Sequence, residues 1–577
     1  MVMKLGEILI KDNLISKDDL EVALKEQQKT SEPLAKVLIK MGYLKEEDLL
    51  PVLSKQLKIP VVDIKNMDID EAAVKKVPAK FAWHYKIMPV KLENNILTVA
   101  TSDPLHSLND LQLFLGVDIK GVLAPEKETI KTIKKYYGVG AETVESIVAK
   151  QKLEQEGDSV EIRDEVEDIE KMAAEASVVK LVNQIILDAH KARATDIHIE
   201  PFRGKLGLRY RIDGVLYNAN VPVEMSRLFP SIISRIKIMS KLDIVERRLP
   251  QDGRAAVKIG RDEFDLRISV IPTRHGESLV IRVLPTKMLF SLERLGLKPD
   301  ELKIMESLVK KPNGIIFVTG PTGSGKTTTL YACLSKIKSS ENKIITLEDP
   351  IEYEIEGVTQ IQIMPEIGFT FAQGLRSVLR HDPDIMMVGE VRDYETAELA
   401  IRIALTGHLI FSTVHTNDAA GGVTRLVNIG IEPFLITSSV ESFIAQRLVR
   451  MICPECREED PSITDEVGKM ILQDIDSFNR KQKEGGLIKV PESLKFYKGK
   501  GCDSCNHTGY KQRSAIYEML LINRPIKDLI LEKASTDKIR DKAIEQGMKT
   551  LRVSGWEKVM EGLTTPEEIL RVTQTID

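Results

Sequence analysis

Residues 320–327 read Gly320-Pro321-Thr322-Gly323-Ser324-Gly325-Lys326-Thr327, with Thr328 following. These types at this spacing suit the grip of a nucleoside triphosphate such as ATP. The glycines let backbone N–H groups curl into a nest for the β- and γ-phosphates, Lys326 adds a point charge, and the Thr327 hydroxyl can ligate Mg²⁺. The run Gly314-Ile315-Ile316-Phe317-Val318-Thr319 upstream reads as a buried parallel strand. A helix beginning at the loop aims its positive end at the anion.

Three more strand-like runs follow, each ending in polar residues. Ile344-Ile345-Thr346-Leu347 leads to Glu348-Asp349-Pro350, and Asp384-Ile385-Met386-Met387-Val388-Gly389 to Glu390-Val391-Arg392-Asp393. His408-Leu409-Ile410-Phe411-Ser412-Thr413-Val414 leads to His415-Thr416-Asn417-Asp418. Ligands of an open parallel sheet sit at the carboxyl ends of its strands. Glu348, Glu390 and His415 are therefore expected to converge on the phosphates. Phosphoryl transfer to water needs a bridging metal, a positioned water and positive charge on the transition state. One carboxylate can hold Mg²⁺ with Thr327 while a second orients the water.

A second constellation is Cys453-Pro454-Glu455-Cys456 with Cys502-Asp503-Ser504-Cys505. Two C-x₂-C knuckles suit a closed, tetrahedral, structural zinc site. The 45 residues between the pairs exceed ordinary zinc-ribbon spacing, so an insertion is expected to fold between them. Cys333, in the expected helix after the phosphate loop, reads as a small core residue.

The elements that must carry these groups fall into an α/β multidomain chain. A length of 577 residues accommodates three or four domains. A net charge of -4 argues against a nucleic-acid partner. No apolar run of about 18 residues and no signal-like start are present, which points to the cytoplasm. Residues 1–140 form an expected N-terminal domain. Its first part repeats at 29-residue spacing: Leu5, Leu9, Leu14, Leu20 and Leu24 recur as Leu34, Leu38, Tyr43, Leu49 and Leu53. Each copy reads as two short helices, with turns at Asn13 and Gly42. An α/β part follows and ends near Tyr137-Gly138. Residues 141–175 read as a linker, since 151–175 carry ten acidic against three basic side chains. A mixed α/β domain occupies 176–288. The phosphate-loop domain occupies 289–577, with the cysteine insertion at 453–505 and helices at its C-terminal end.

The segments Ile345–Glu352, Val388–Asp393 and Gly407–Asn417 resemble the Asp box, Walker B and His box of the type II/IV secretion ATPase superfamily. Arg209–Gly214 and Arg247–Arg254 resemble further motifs of that superfamily. The resemblance implies a RecA-like P-loop core, a preceding PAS-like domain and an N-terminal docking domain. It implies that Glu348 polarises the attacking water, that Glu390 is the Walker B carboxylate near Mg²⁺, and that His408 and His415 couple nucleotide state to domain movement. Arginines from the preceding domain, by position Arg267, Arg282 and then Arg254, are implied to reach the triphosphate. An arginine supplied across a subunit boundary requires a ring, so a homohexamer acting on an inner-membrane platform protein and docking proteins is implied.

Within the superfamily, the tetracysteine resembles that of the pilus-assembly and type II secretion branches, and with the long N-terminal region it implies assembly rather than pilus retraction; the type II secretion branch shares every catalytic motif. The helical repeat resembles a cyclic-di-GMP-binding module whose copies begin Arg-Leu-Gly. Here the copies begin Lys4-Leu5-Gly6 and Pro33-Leu34-Ala35, and Asn13 stands where a glycine is expected. The repeat is thus open to two readings, a docking domain or a cyclic-di-GMP-responsive regulator.

Overall fold

The N-terminal repeat folds as two helix pairs, Leu5–Lys11 with Lys17–Thr30 and Leu34–Lys40 with Glu46–Leu57. Asn13 and Gly42 take positive φ at the corresponding turns, and Leu9, Ile15, Ala23, Leu38, Leu44 and Leu49 bury against one another. Neither pair could cover its apolar stripe alone, so the two copies form one small core. The computed structural model describes residues 5–30, 34–104, 111–112, 115, 117–138, 140–141, 143–144, 176–286, 288–463, 465–483, 486–491 and 494–573. The acidic segment 151–175, read as a linker, lies outside the described residues.

The chain divides into two units, residues 1–284 and 285–577. In the first, β1 (Met88–Glu93), β2 (Ile96–Thr101) and β3 (Asp118–Leu123) form a small sheet, covered in part by the helix Glu126–Tyr137. A six-stranded sheet follows, from β4 (Ala194–Phe202), β5 (Lys205–Ile212), β6 (Val215–Ala219), β7 (Gln251–Ile259), β8 (Asp262–Thr273) and β9 (Gly276–Pro285). Its order is β6-β5-β4-β9-β8-β7. The alternation of buried and half-exposed residues along β5 and β8 is what a sheet covered on one face requires. The helices Ala176–Lys191 and Met225–Met239 supply that cover.

The second unit is built on β10 (Gly314–Thr319), β11 (Ile344–Glu348), β12 (Thr359–Gln362), β13 (Ile385–Val388), β14 (Leu409–Val414), β15 (Val440–Ile452) and β18 (Tyr510–Leu521). The order is β12-β11-β13-β14-β10-β15-β18, parallel except for the β15–β18 pair. Taken in chain order, the five core parallel strands run 2-3-4-1-5, the RecA-like arrangement. The central strands β10, β13 and β14 are buried along their whole length, as doubly covered parallel strands must be. A hairpin of β16 (Arg457–Glu459) and β17 (Tyr497–Gly499) flanks the helix Asp465–Lys481, which is the expected insertion between the cysteine pairs. Among the described residues no helix is long and apolar enough to cross a membrane.

The far end of β15 is tied to the last described helix, Pro566–Val572. Arg450 Nη2 donates to Glu568 Oε1 at 2.6 Å, the Arg450 N–H donates to Oε2 at 3.1 Å, and Arg571 Nη2 donates to Oε2 at 2.7 Å. Burial alone would raise the Glu568 carboxyl, but these donors pull it down to about 2 from 4.5. Its stabilising contribution is therefore complete above pH 4.5 and is lost as the pH falls toward 2. Glu568→Ala is expected to cost about 3 kcal/mol at neutral pH by taking the carboxylate away from a buried guanidinium. Urea unfolding should show the gap to wild type narrowing in acid; an equal gap at both pH values would contradict the assignment.

Candidate functional site

The phosphate loop leaves β10 at Thr319 and enters the helix Lys326–Ile337. Gly320 has φ +147 and Gly325 has φ +88, and neither has room for a side chain. A Cβ on Gly320 would lie 2.6 Å from the Gln446 carbonyl oxygen, and one on Gly325 would lie 2.9 Å from Gln446 Nε2. Lys326 Nζ donates to the loop's own carbonyls, Gly320 O at 2.9 Å and Pro321 O at 3.2 Å. Burial pulls the Lys326 ammonium down, Glu390 opposes that and Arg447 adds to it. Ser324 Oγ is buried without a hydrogen-bond partner among the described residues. A curled loop, an inward lysine and an orphaned hydroxyl form a cradle that fits a polyphosphate.

Register places the other candidates. Leu347 lies level with Val388, Val388 with Ser412, and Ser412 with Phe317. The chain ends after β11, β13, β14 and β10 therefore emerge along one edge, carrying Glu348, Glu390, His415 and the phosphate loop. Glu390 Oε1 accepts from Arg392 at 2.6 Å, and Oε2 lies 3.2 Å from His415 Nε2. Thr319 Oγ1 binds the Thr416 N–H at 2.9 Å, which fastens the His415 loop to the start of the phosphate loop. Glu348 has the right level but a buried side chain, 3% exposed, held by Tyr331, Thr346 and Gln360.

His408 is not brought to this edge. It precedes β14, its backbone oxygen accepts from the Gly314 N–H at the opposite end of β10, and its Nδ1 lies 3.0 Å from Ile403 O. Six strand residues at about 3.3 Å each put roughly 20 Å between it and His415. Of the two histidines, only His415 stands at the edge that carries the phosphate loop.

The structure adds two residues that the sequence reading passed over. Gln446 on β15 is 1% exposed, its Nε2 donating to Ser324 O at 2.8 Å and its Oε1 accepting from Thr329 Oγ1 at 2.7 Å. Its neighbour Arg447 donates through Nη2 to Asn417 O at 2.9 Å, and Nη1 stands 3.1 Å from where a Gly320 Cβ would be. The available signal was a Gln-Arg pair inside the otherwise apolar run Phe443–Val449. Below the same loop, Glu518 accepts the N–H groups of Ala419 at 2.8 Å and Leu551 at 3.2 Å. Burial, with Asp418 nearby, pushes its carboxyl up to about 7.

The candidate arginines belong to the first unit. Arg254 on β7 pairs directly with Arg267 on β8, so two guanidiniums share one face of the sheet. Arg282 Nε donates to Asp196 Oδ1 at 3.1 Å, and Arg211 approaches Asp196 Oδ2 at 3.7 Å.

The four cysteines come together at the end of β15, their sulfurs all within 4.8 Å of one another. Cys453–Cys502 and Cys502–Cys505 are 3.8 Å apart and Cys456–Cys505 3.9 Å. With a Zn–S bond of about 2.3 Å, a regular ZnS₄ tetrahedron has edges of about 3.8 Å. These separations are far beyond a disulfide bond. The N–H groups of Gly501, Cys502 and Gly509 point at Cys456 and Cys505 sulfurs at 3.1–3.3 Å, as negative thiolates require. The set fits a structural zinc ion with no open position.

Comparison with known proteins agrees with this architecture. A family model described as type II/IV secretion system protein matches residues 171–571, and one described as MshEN domain matches residues 57–143. The chain is 42% identical over 575 residues to the type IV pilus assembly ATPase PilB of Myxococcus xanthus, covering 98% of each chain. It is 38% identical over 578 residues to the type II secretion system protein E of Xanthomonas campestris, covering 99% of this chain and 98% of that one. Against the type II secretion system ATPase E of Vibrio cholerae it is 44% identical over 409 residues, covering 71% of this chain and 78% of that one. With RecA-like strand order, a phosphate loop at its centre and relatives aligned end to end, the protein belongs to the type II/IV secretion ATPase family.

Proposed function

We propose that the protein is a hexameric motor that hydrolyses ATP to drive type IV pilus assembly through an inner-membrane platform protein. The observation that carries the enzymatic part is the shared edge at which Lys326, Glu348, Glu390 and His415 leave parallel strands. In this reading the loop N–H groups from Gly320 to Thr327 and the Lys326 ammonium bind the β- and γ-phosphates, with Pro321, Thr322 and Thr328 shaping the rim. Mg²⁺ held by Thr327 and Glu390 supplies charge neutralisation on those oxygens. Glu348 takes the proton from the water that attacks the γ-phosphorus, giving ADP and inorganic phosphate. His415, in contact with Glu390 and tethered through Thr416 to Thr319, reports the state of the site to the sheet edge.

Like charges directly opposed in a ladder are unfavourable, and Asp265 Oδ2, 3.7 Å from Arg267 Nε, offsets part of that here. In this reading the Arg254–Arg267 pair, with Arg282 on the next strand, also serves a triphosphate held by a neighbouring subunit. That arrangement needs a ring. In this scheme residues 1–140 dock, 176–288 carry the arginines and 289–577 form the motor. Both readings have an end-to-end relative, and the higher identity to the pilus assembly ATPase, 42% against 38%, supports the pilus reading. In this scheme the helical repeat is a docking surface for the membrane machinery.

Lys326→Ala is expected to weaken ATP binding by at least about a hundredfold. Glu348→Gln should keep ATP binding in an equilibrium titration while turnover falls by about 10²–10⁴; brisk phosphate release by that variant would remove Glu348 as the base. Metal analysis of the purified chain should find about one zinc per protomer, absent from Cys453→Ser/Cys456→Ser, and a metal-free wild type would overturn the zinc assignment. Calorimetry with cyclic-di-GMP is expected to be silent, and micromolar binding would reassign the repeat. In the source organism, loss of the gene should remove surface pili and leave exported enzymes in place.

A further inference from the structure

The carboxylate that would activate water is enclosed by three donors from three different elements. Tyr331, on the helix that starts at the phosphate loop, donates its hydroxyl to Glu348 Oε2. Thr346, two residues upstream on β11 and so on the same face of the strand, donates to Oε1 at 2.6 Å. Gln360, from the neighbouring edge strand β12, donates Nε2 to the same Oε1 at 3.0 Å. Gln360 is itself fixed, with Nε2 also on Tyr353 O at 2.9 Å and Oε1 accepting the Ile355 N–H at 2.7 Å. Tyr331 is fully buried, and its ring is walled by Phe290 and Tyr353. Nothing in the sequence motifs marks Tyr331 or Gln360 as part of the chemistry.

An ionised carboxylate offers about four lone-pair positions, two on each oxygen. Thr346 and Gln360 occupy both positions on Oε1, and Tyr331 occupies one on Oε2. One position on Oε2 is left. We propose that Tyr331, Thr346 and Gln360 are positioning residues that fix the Glu348 carboxylate so that Oε2 is the oxygen that accepts the proton of the attacking water. The inference rests on Glu348 being the general base. In the step itself, the water O–H bond breaks, its proton goes to the free lone pair of Oε2, and the water oxygen bonds to the γ-phosphorus as the bond to ADP breaks.

The groups that face this carboxyl are the Tyr331 phenol, the Thr346 hydroxyl and the Gln360 amide, with the Tyr353 phenol packed behind Tyr331. Burial and the neighbouring Glu348 charge raise the Tyr331 phenol well above the usual tyrosine range, so it remains a donor wherever the enzyme works. Removing the Tyr331 hydroxyl or the Gln360 amide should release the Glu348 side chain to turn.

The test compares the full-length wild type with Tyr331→Phe, Gln360→Glu and Glu348→Gln. Tyr331→Phe keeps the buried ring and deletes only the hydroxyl; Gln360→Glu keeps the acceptor for Ile355 and replaces the donor with a like charge. Both are expected to lower kcat about ten- to a hundredfold while leaving the Kd and KM for ATP unchanged. Unaltered kcat in both variants, with Glu348→Gln inactive, would overturn the positioning role and leave the base assignment standing. An active Glu348→Gln would overturn the base assignment and this inference with it. If Tyr331→Phe changes only the melting temperature or the Kd for ATP, Tyr331 is structural and the proposal fails.

Discussion

The second unit is organised by one buried amide. Gln446 reaches from β15 to grip the phosphate loop through Ser324 and the following helix through Thr329, and its backbone oxygen excludes a side chain at Gly320. A buried amide whose donor and acceptor are both satisfied holds geometry better than apolar packing does, because either partner moving leaves a polar group unpaired. The loop's curl is therefore imposed twice, by its own glycines and by the strand beside it. Arg447, next along β15, ties the same strand to Asn417 after β14. Phosphate loop, His415 loop and β15 form one mechanical body.

That body continues outward. Beyond Arg447, the strand passes the buried Arg450–Glu568 pair and ends beside Cys453 in the thiolate cluster. A single strand thus links the phosphate loop to the thiolate cluster about 20 Å away, at roughly 3.3 Å per residue. β18 runs antiparallel beside it and presents Glu518 to the first N–H groups of the helices Ala419–Ile429 and Leu551–Met560. The pairing of strand and helix ends stiffens the route, and the closed set of four thiolates at its end fits a structural metal site rather than a catalytic one.

Much of the site was legible because phosphate chemistry is local in sequence. Glycines at fixed offsets, a lysine, a threonine and polar residues just after apolar runs mark strand ends wherever they occur, and a parallel sheet aligns those ends. The cysteine pairs were equally plain, since metal geometry needs two close knuckles whatever lies between them. Tyr331, Gln360, Gln446 and Arg447 were not legible in this way. Tyr331, Gln446 and Arg447 lie among apolar neighbours that give them the appearance of core, Gln360 sits in a short polar edge strand, and each acquires its role from an element distant in the chain. His408 shows the converse: proximity to His415 in sequence suggested a shared role, and a straight strand puts them at opposite ends of the sheet.

The sequence alone determined that residues 320–327 have the spacing of a phosphate loop, that carboxylates follow at two later strand ends and that four thiolates can meet. These follow from short-range rules of backbone freedom, strand termination and ligand spacing. The tertiary structure decided which oxygen of Glu348 remains free, which strand clamps the loop and which histidine reaches the edge. Those outcomes depend on strand order and register, which bring residues 331, 348 and 360, or 324 and 446, into hydrogen-bond range. No local pattern encodes such contacts, because they exist only when the whole sheet has assembled in one order.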